Sequence, residues 1–504
     1  MFALILSVPR ITPVRPSLAP AIIKSLFTER NKSSKILDIN IDFYNNFATK
    51  YGSSAFHRVD NFLTSPAEDI LEPEYEQVFN EWIDNWIEQI LSYNPDHILI
   101  SVFTWNAQKF TLWLCRRLRP RTNVKIILGG QGIGEIREQT SWIGEPLFAM
   151  QMKKKELVDH WVKGDAESVI DSIVDKTYTG VGWDSSDYTQ WSGLANKPIP
   201  DFSDLNIKEY HSGVPDGVIP MEFSRGCVRK CNFCDWVTSG GGFRSKTGQQ
   251  VFNEIISYYQ NFGTTDYYFN DALINGSLRE FNIFNKLLVE YYEQNNLPDR
   301  TIKYSGHFII RGRQSTWQPE HIKQMGRAGA ESMVVGVESG SDSVRKAMNK
   351  GYTTADLDYN MENFIQHNIK LYMLIMIGYP TETRKDFEET LDLVKRYQKY
   401  VAMGNISGIN FGQTFIIEEG APIYYHPEHL DLVGVNGAPH DVFWMNPKNP
   451  DLTYKERITR RIEAQELATK LGYPIWRADA QLGWLMNKYK EIQQGTYHAH
   501  KTRI

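Results

Sequence analysis

Cys227-Val-Arg-Lys-Cys231-Asn-Phe-Cys234 holds three of the chain's four cysteines within eight residues, and its spacing decides the reading of everything around it. Thiolates are soft ligands suited to zinc, copper(I) or iron–sulfur clusters. A C-x3-C-x2-C loop presents three of them to one centre and offers no fourth nearby. A closed zinc site takes four protein ligands, usually as Cys-x-x-Cys or Cys/His pairs. The next histidine along the chain is only His307. Three thiolates suit a [4Fe–4S] cluster with one iron left open to a small molecule. Structural zinc and chance clustering are the competing readings, and ligand count disfavours both.

The pattern around the loop is strand–helix alternation. Val218-Ile-Pro-Met-Glu-Phe223 reads as a strand running straight into the cysteines. Further strands are expected at 267–270, 302–307, 332–337, 371–377 and 406–415, with amphipathic helices between them. Six β/α units over residues 218–430 predict a partial (β/α)6 barrel rather than a closed eight-fold one. Upstream, residues 1–180 alternate apolar strands with helices, which predicts a doubly wound parallel sheet of the Rossmann or flavodoxin-like kind. Ligands of such sheets sit at the carboxyl ends of the strands. Here those ends carry Ser101-Val-Phe-Thr104 and Gly129-Gly130, small or polar residues that permit close backbone approach. Residues 181–217, rich in Gly, Ser, Asp and Pro, read as a linker. Residues 431–504 read as a helical extension of mixed charge, with Trp444, Trp476 and Trp484 as core residues or as a cover for substrate.

Bulk properties exclude several classes. The 504 residues carry a net charge of -5, which gives no electrostatic case for a nucleic-acid partner. Four cysteines, three of them in one loop, argue against a disulfide framework and for a reducing compartment. The apolar start Met1-Phe-Ala-Leu-Ile-Leu is too short for a signal peptide, and no run reaches the roughly 18 apolar residues of a membrane helix. A soluble, cytoplasmic α/β protein is the expectation.

The order of these motifs resembles that of radical S-adenosylmethionine (radical SAM) enzymes with an N-terminal cobalamin-binding domain. Phe233, before the last cysteine, matches the aromatic position placed against adenine in that family. Asn270 and Asp271 occupy the place of the segment that holds the methionine amino group, although that segment is commonly glycine-rich. Gly336-Val-Glu338-Ser339-Gly resembles the family's Glu-Ser-Gly signature, and Gly378-Tyr-Pro380 its Gly-x-Pro turn. Asp271 and Glu338 can equally be capping or surface carboxylates, and Gly378 a plain turn residue. Ser101, Thr104, Gly129 and Gly130 match the cobalamin side. No histidine here follows an Asp-x pattern, so cobalt is expected to carry no protein histidine; a sheet that binds nothing is the alternative.

The resemblance implies that Cys227, Cys231 and Cys234 ligate the cluster and that SAM is cleaved to a 5′-deoxyadenosyl radical. It implies cobalamin-dependent methylation at an unactivated carbon of a small molecule or peptide. Rearrangement, cyclisation or oxidation without methyl transfer is the second outcome, and a non-catalytic iron–sulfur sensor a third. An electron donor such as flavodoxin or ferredoxin is implied as partner. Methylthiotransferases and enzymes with auxiliary clusters need more cysteines. Only Cys115 is left over, among apolar helical neighbours that make it an inert core thiol.

Overall fold

The computed structural model describes residues 1–475 apart from 65–69, 135–146, 176–181, 185–192, 196, 240–241, 413, 436–439 and 443, with isolated positions beyond 475. Trp476, Trp484 and most of the expected helical extension beyond residue 475 lie outside the described residues. The chain forms two compact units, one of residues 1–220 with 260–266 and one of 221–259 with 267–504.

The first unit is built on six strands: β1 (Phe2–Ser7), β2 (Ser33–Asp38), β3 (His97–Ser101), β4 (Lys125–Gly129), β5 (His160–Lys163) and β6 (Trp183–Asp184). They lie in the order β2-β1-β3-β4-β5-β6, and every pairing is parallel. All five residues of β3 are buried, as a parallel sheet covered on both faces requires. The chain order reverses about β1, which places the switch-point crevice between the ends of β1 and β3, where Ser7 pairs in register with Ser101. The Pro73–Ser92 helix packs Phe79, Trp82, Ile83, Ile87 and Ile90 against this sheet's core.

The stretch expected to be a linker departs from that reading. Lys24 reaches Asp204 at 2.7 Å and Asp201 at 3.3 Å, the Asp204 carboxylate accepts from the Ile36 amide at 2.9 Å, and Tyr210 donates its hydroxyl to Asp38. Its polar composition, which suggested solvent, is spent on fixed partners along the edge strand β2. Residues up to Pro220 therefore belong to the first unit.

The second sheet is made of strands β7 (Val218–Met221), β8 (Asp266–Phe269), β9 (Lys303–Phe308), β10 (Ala330–Glu338), β11 (Lys370–Ile375) and β12 (Ile406–Asn410), arranged in simple sequential order, with β9 to β12 wholly in the second unit. The pairings of β9 through β12 are parallel. Sequential parallel strands with helices between them form the wall of a partial barrel. Burial alternates along β9, β10 and β11. One face is sealed by helices, and Ser305, His307, Val334, Tyr372 and Leu374 stand half-exposed on the other.

The Tyr454–Lys470 helix has the expected mixed charge, and part of that charge faces inward. Its Arg457, Arg460 and Arg461 are buried, and Arg460 pairs with buried Glu382 at 3.2 Å. Periodicity cannot reveal this, because a charged residue scores as polar whichever way it faces. No described helix is long and apolar enough to cross a membrane.

Candidate active site

The cysteine loop leaves β7 under the control of Asp271. This fully buried carboxylate accepts the Phe223 amide at 3.0 Å and the Ser224 amide as well. Burial outweighs those bonds and pushes its pKa up to about 7. Asp271 thus holds the entrance of the loop, and both its oxygens are committed to backbone. Asn270 lies at the exposed end of β8, its amide bonded to the Met221 carbonyl at 3.0 Å.

The far side of the loop is fastened to the segment after the Asp342–Ala347 helix. Asn232 donates its amide to Met348 at 3.2 Å and its side chain to Ala347 at 2.7 Å. Asn349 returns a bond to the Lys230 carbonyl at 2.7 Å, and Arg229 reaches the carbonyls of Gly351 and Ile310 at 3.1 and 3.2 Å. Tyr379 donates to the Asn232 side chain at 2.8 Å, and the Ile423 amide to its carbonyl at 2.9 Å. The three thiols are therefore presented by a rigid loop.

Cys231 is buried, and Cys227 and Cys234 are half-buried. Burial pushes the Cys234 thiol up to about 12 and raises Cys231, against the opposing pull of Lys350. Such thiols ionise when a cation binds them. Three thiols from one loop suit a cluster with one open iron better than a closed four-ligand zinc site. Among the described residues, the trio whose ligand atoms gather within 4.8 Å is elsewhere, at His426, Glu428 and His429.

Beside Cys231 stands a buried ion pair, Glu338–Lys350, at 2.6 Å. Glu338 closes β10 with φ of 63°, a left-handed conformation costly for a non-glycine residue. Space for the pair comes from Gly336, where a Cβ would stand 2.2 Å from the Glu338 carboxylate and 2.7 Å from the Lys350 ammonium. Burial opposes the charge on Lys350, but Glu338 and Tyr352 outweigh it and hold the ammonium above its ordinary range. The same ammonium lies 5.7 Å from the centre of the Phe233 ring. Burial and Lys350 together lower the basicity of His307 on β9. Cys231, Phe233, Glu338 and His307 thus converge on Lys350, the residue missed by sequence reading. Lysine is ordinarily a surface residue, and only the tertiary fold shows it enclosed.

Two other expected residues serve the scaffold. Ser339 is fully buried, its hydroxyl set between Thr390 at 3.2 Å and the Ser341 amide at 3.1 Å. Gly378 turns the chain at φ of 84°, and a Cβ there would meet Arg457 at 2.6 Å.

In the first unit, Ser101 ends β3 and is buried, in register with Gly129 at the end of β4. Gly130 has φ of 97°, and a Cβ on it would stand 2.5 Å from the Val102 carbonyl. At Gly132 a Cβ would meet the Thr104 backbone at 2.4 Å. These glycines let the β3 and β4 loops touch each other, so the close approach expected of a ligand is made by the neighbouring loop. Thr104 Oγ1 and Asn106 Oδ1 are buried there without a hydrogen-bond partner. Orphaned polar atoms at strand ends suit a polar ligand that completes them.

Residues 221–394 match the Radical SAM superfamily. The chain is 23% identical over 235 residues to bacteriochlorophyllide d C-12(1)-methyltransferase of Chlorobaculum tepidum, covering 46% of this chain and 49% of that protein. It is 23% identical over 332 residues to an uncharacterised methyltransferase of Pyrococcus horikoshii, covering 61% and 65%. The chain thus spans about half to two thirds of these curated relatives. Two solved structures share its fold. TsrM of Kitasatospora setae, a radical SAM methyltransferase with cobalamin and a [4Fe–4S] cluster bound, superposes with a TM-score of 0.60 at 12% identity, over 98% of this chain and 99% of that one. OxsB, a cobalamin-dependent SAM radical enzyme, gives 0.61 at 14% identity, over 98% and 72%.

Proposed function

We propose that this chain, a radical SAM enzyme through residues 221–394, transfers a methyl group by way of cobalamin to an unactivated carbon of a small molecule or peptide. The observation that carries the reading lies in the first unit. Its β3 and β4 ends combine small residues with the orphaned Thr104 and Asn106 atoms, upstream of a cysteine loop suited to a cluster. The fold likeness to TsrM and OxsB over 98% of the chain supports it, since both structures hold cobalamin. A TsrM structure with tryptophan as substrate supports a small molecule, and flavodoxin or ferredoxin fits the electron supply.

When bound, the cluster and SAM supply one-electron cleavage of a sulfonium bond, and the corrinoid supplies a methyl carrier. Cys227, Cys231 and Cys234 would hold the cluster. Lys350 and Glu338 offer opposite charges to the carboxylate and ammonium of SAM, in charge-assisted hydrogen bonds. Phe233 offers a flat apolar face to adenine. Val334, Tyr372 and Leu374 line the open face of the sheet, where they orient a substrate and exclude water. His307 stays neutral and can accept or relay a proton there.

Anaerobic reconstitution with iron, sulfide and hydroxocobalamin, followed by SAM and a reductant, tests the reading. Stoichiometric corrinoid in the optical spectrum and conversion to methylcobalamin are expected. Replacement of all three loop cysteines by Ala should remove the iron and leave the corrinoid. A protein that forms 5′-deoxyadenosine yet retains no corrinoid would sink the methyl-transfer reading and favour rearrangement or oxidation.

A further inference from the structure

Outside both sites, the turn His426-Pro427-Glu428-His429 gathers three ligands, two imidazoles and a carboxylate, at one point on the surface. We propose that it binds a divalent transition cation of the zinc type, independently of the cysteine loop. The ligand atoms of His426, Glu428 and His429 all lie within 4.8 Å of one another. His426 Nδ1 stands 3.2 Å from a Glu428 oxygen, and His429 Nε2 stands 3.9 Å from the same oxygen. Donors on one zinc lie about 3–3.5 Å apart, given bonds of about 2.0–2.2 Å. Rotation of the exposed imidazoles out of their stacked arrangement turns both in-plane lone pairs toward a shared point beside Glu428.

The arrangement follows from backbone geometry. Pro427–Leu430 is a 3-10 turn, in which residues three apart eclipse one another. The two imidazoles consequently stack, with centres 5.0 Å apart and planes at 17°. The turn is pinned by bonds from the His429 amide to the His426 carbonyl at 3.1 Å and from the Leu432 amide to the Pro427 carbonyl at 3.0 Å. Asp431 is held by Lys448 at 2.7 Å and leaves Glu428 as the carboxylate of the trio. Two imidazoles and a carboxylate form a borderline donor set suited to zinc, with a fourth position open to water. The loop thiols are softer and suit the cluster, so ligand chemistry sorts the two metals.

The test uses the full chain with its cluster reconstituted and any affinity tag removed. Equilibrium dialysis against zinc(II) at neutral pH, with zinc and iron counted together, should give one zinc per chain above an unchanged iron content. The His426→Ala/His429→Ala variant should lose that zinc and keep its iron. In parallel, zinc should raise the thermal midpoint of the parent protein and leave that of the variant unmoved, since binding to the native state alone stabilises it. Zinc retained by the variant, zinc gained only as iron is lost, or no zinc on the parent protein would each overturn the proposal.

Discussion

The two sheets hold their ligand-facing chemistry in different ways. β3 of the first sheet is buried throughout, so its chemistry is confined to strand ends and is made of backbone, glycine and short polar groups. Strands β9 to β11 of the second sheet expose alternate residues, so side chains reach the site along the strands as well as at their ends. A site of the first kind is selected by what is absent, a Cβ at Gly130 or Gly132. A site of the second kind is selected by what is present: thiols, a buried ion pair and an aromatic ring.

Removing charge from the second site should produce the largest effect. Lys350→Met leaves Glu338 buried without its partner, which costs about 3–5 kcal/mol for a pair enclosed to this degree. SAM binding, followed by calorimetry on the reconstituted protein, should fall while iron content holds. The Lys350→Met/Glu338→Leu variant should recover the stability without the binding. Equal SAM affinity in all three proteins would mean that the pair is structural and that the contrast between the sheets is weaker than drawn.

Adding a Cβ to the first site comes next. Gly130→Ala forces an alanine to φ of 97° and against the Val102 carbonyl, at a cost of about 2–3 kcal/mol. Corrinoid retention should drop and cluster content should not. Gly129→Ala is the sharpening control, because a Cβ there meets only the Val162 carbonyl at 3.9 Å. Similar losses in both variants would show that the ligand, and not the neighbouring loop, requires the glycines.

The smallest effect is expected at Asp271, where a charge serves backbone geometry within the second unit. Its pKa, raised from 3.8 to about 7, means that the folded protein binds this proton more tightly than the unfolded chain. The resulting stability is fully present below about pH 4 and is lost as pH rises through 7. Asp271→Asn should cost about 2 kcal/mol at acid pH, through imperfect pairing of the Phe223 and Ser224 amides. It should also flatten the decline in stability between pH 5 and 8 relative to the parent, as denaturant titrations would measure. A parallel pH profile would place the titration elsewhere.

Strand–helix alternation was legible wherever apolar runs were unambiguous. The strands expected at 267–270 and 302–307 stand one residue away, at Asp266–Phe269 and Lys303–Phe308. Less legible were elements whose polar residues are buried. The 181–217 stretch looked like a linker because its aspartates find partners only after folding. The burial of the three arginines of the Tyr454–Lys470 helix was not legible for the same reason.

Composition and spacing alone determined the cysteine loop, because three thiols in eight residues have few chemical uses and their rarity makes the pattern specific. Sequence also determined the two sheets, since burial of apolar strands follows from periodicity. Tertiary structure alone decided which partners the two acids take. Glu338 meets Lys350 beside Cys231, whereas Asp271 turns to the backbone of residues 223 and 224. Both are carboxylates at strand ends in sequence. They part in role because a buried carboxylate takes whichever donor the folded chain brings within about 3 Å, and that distance is set by the packing of strands far apart in sequence.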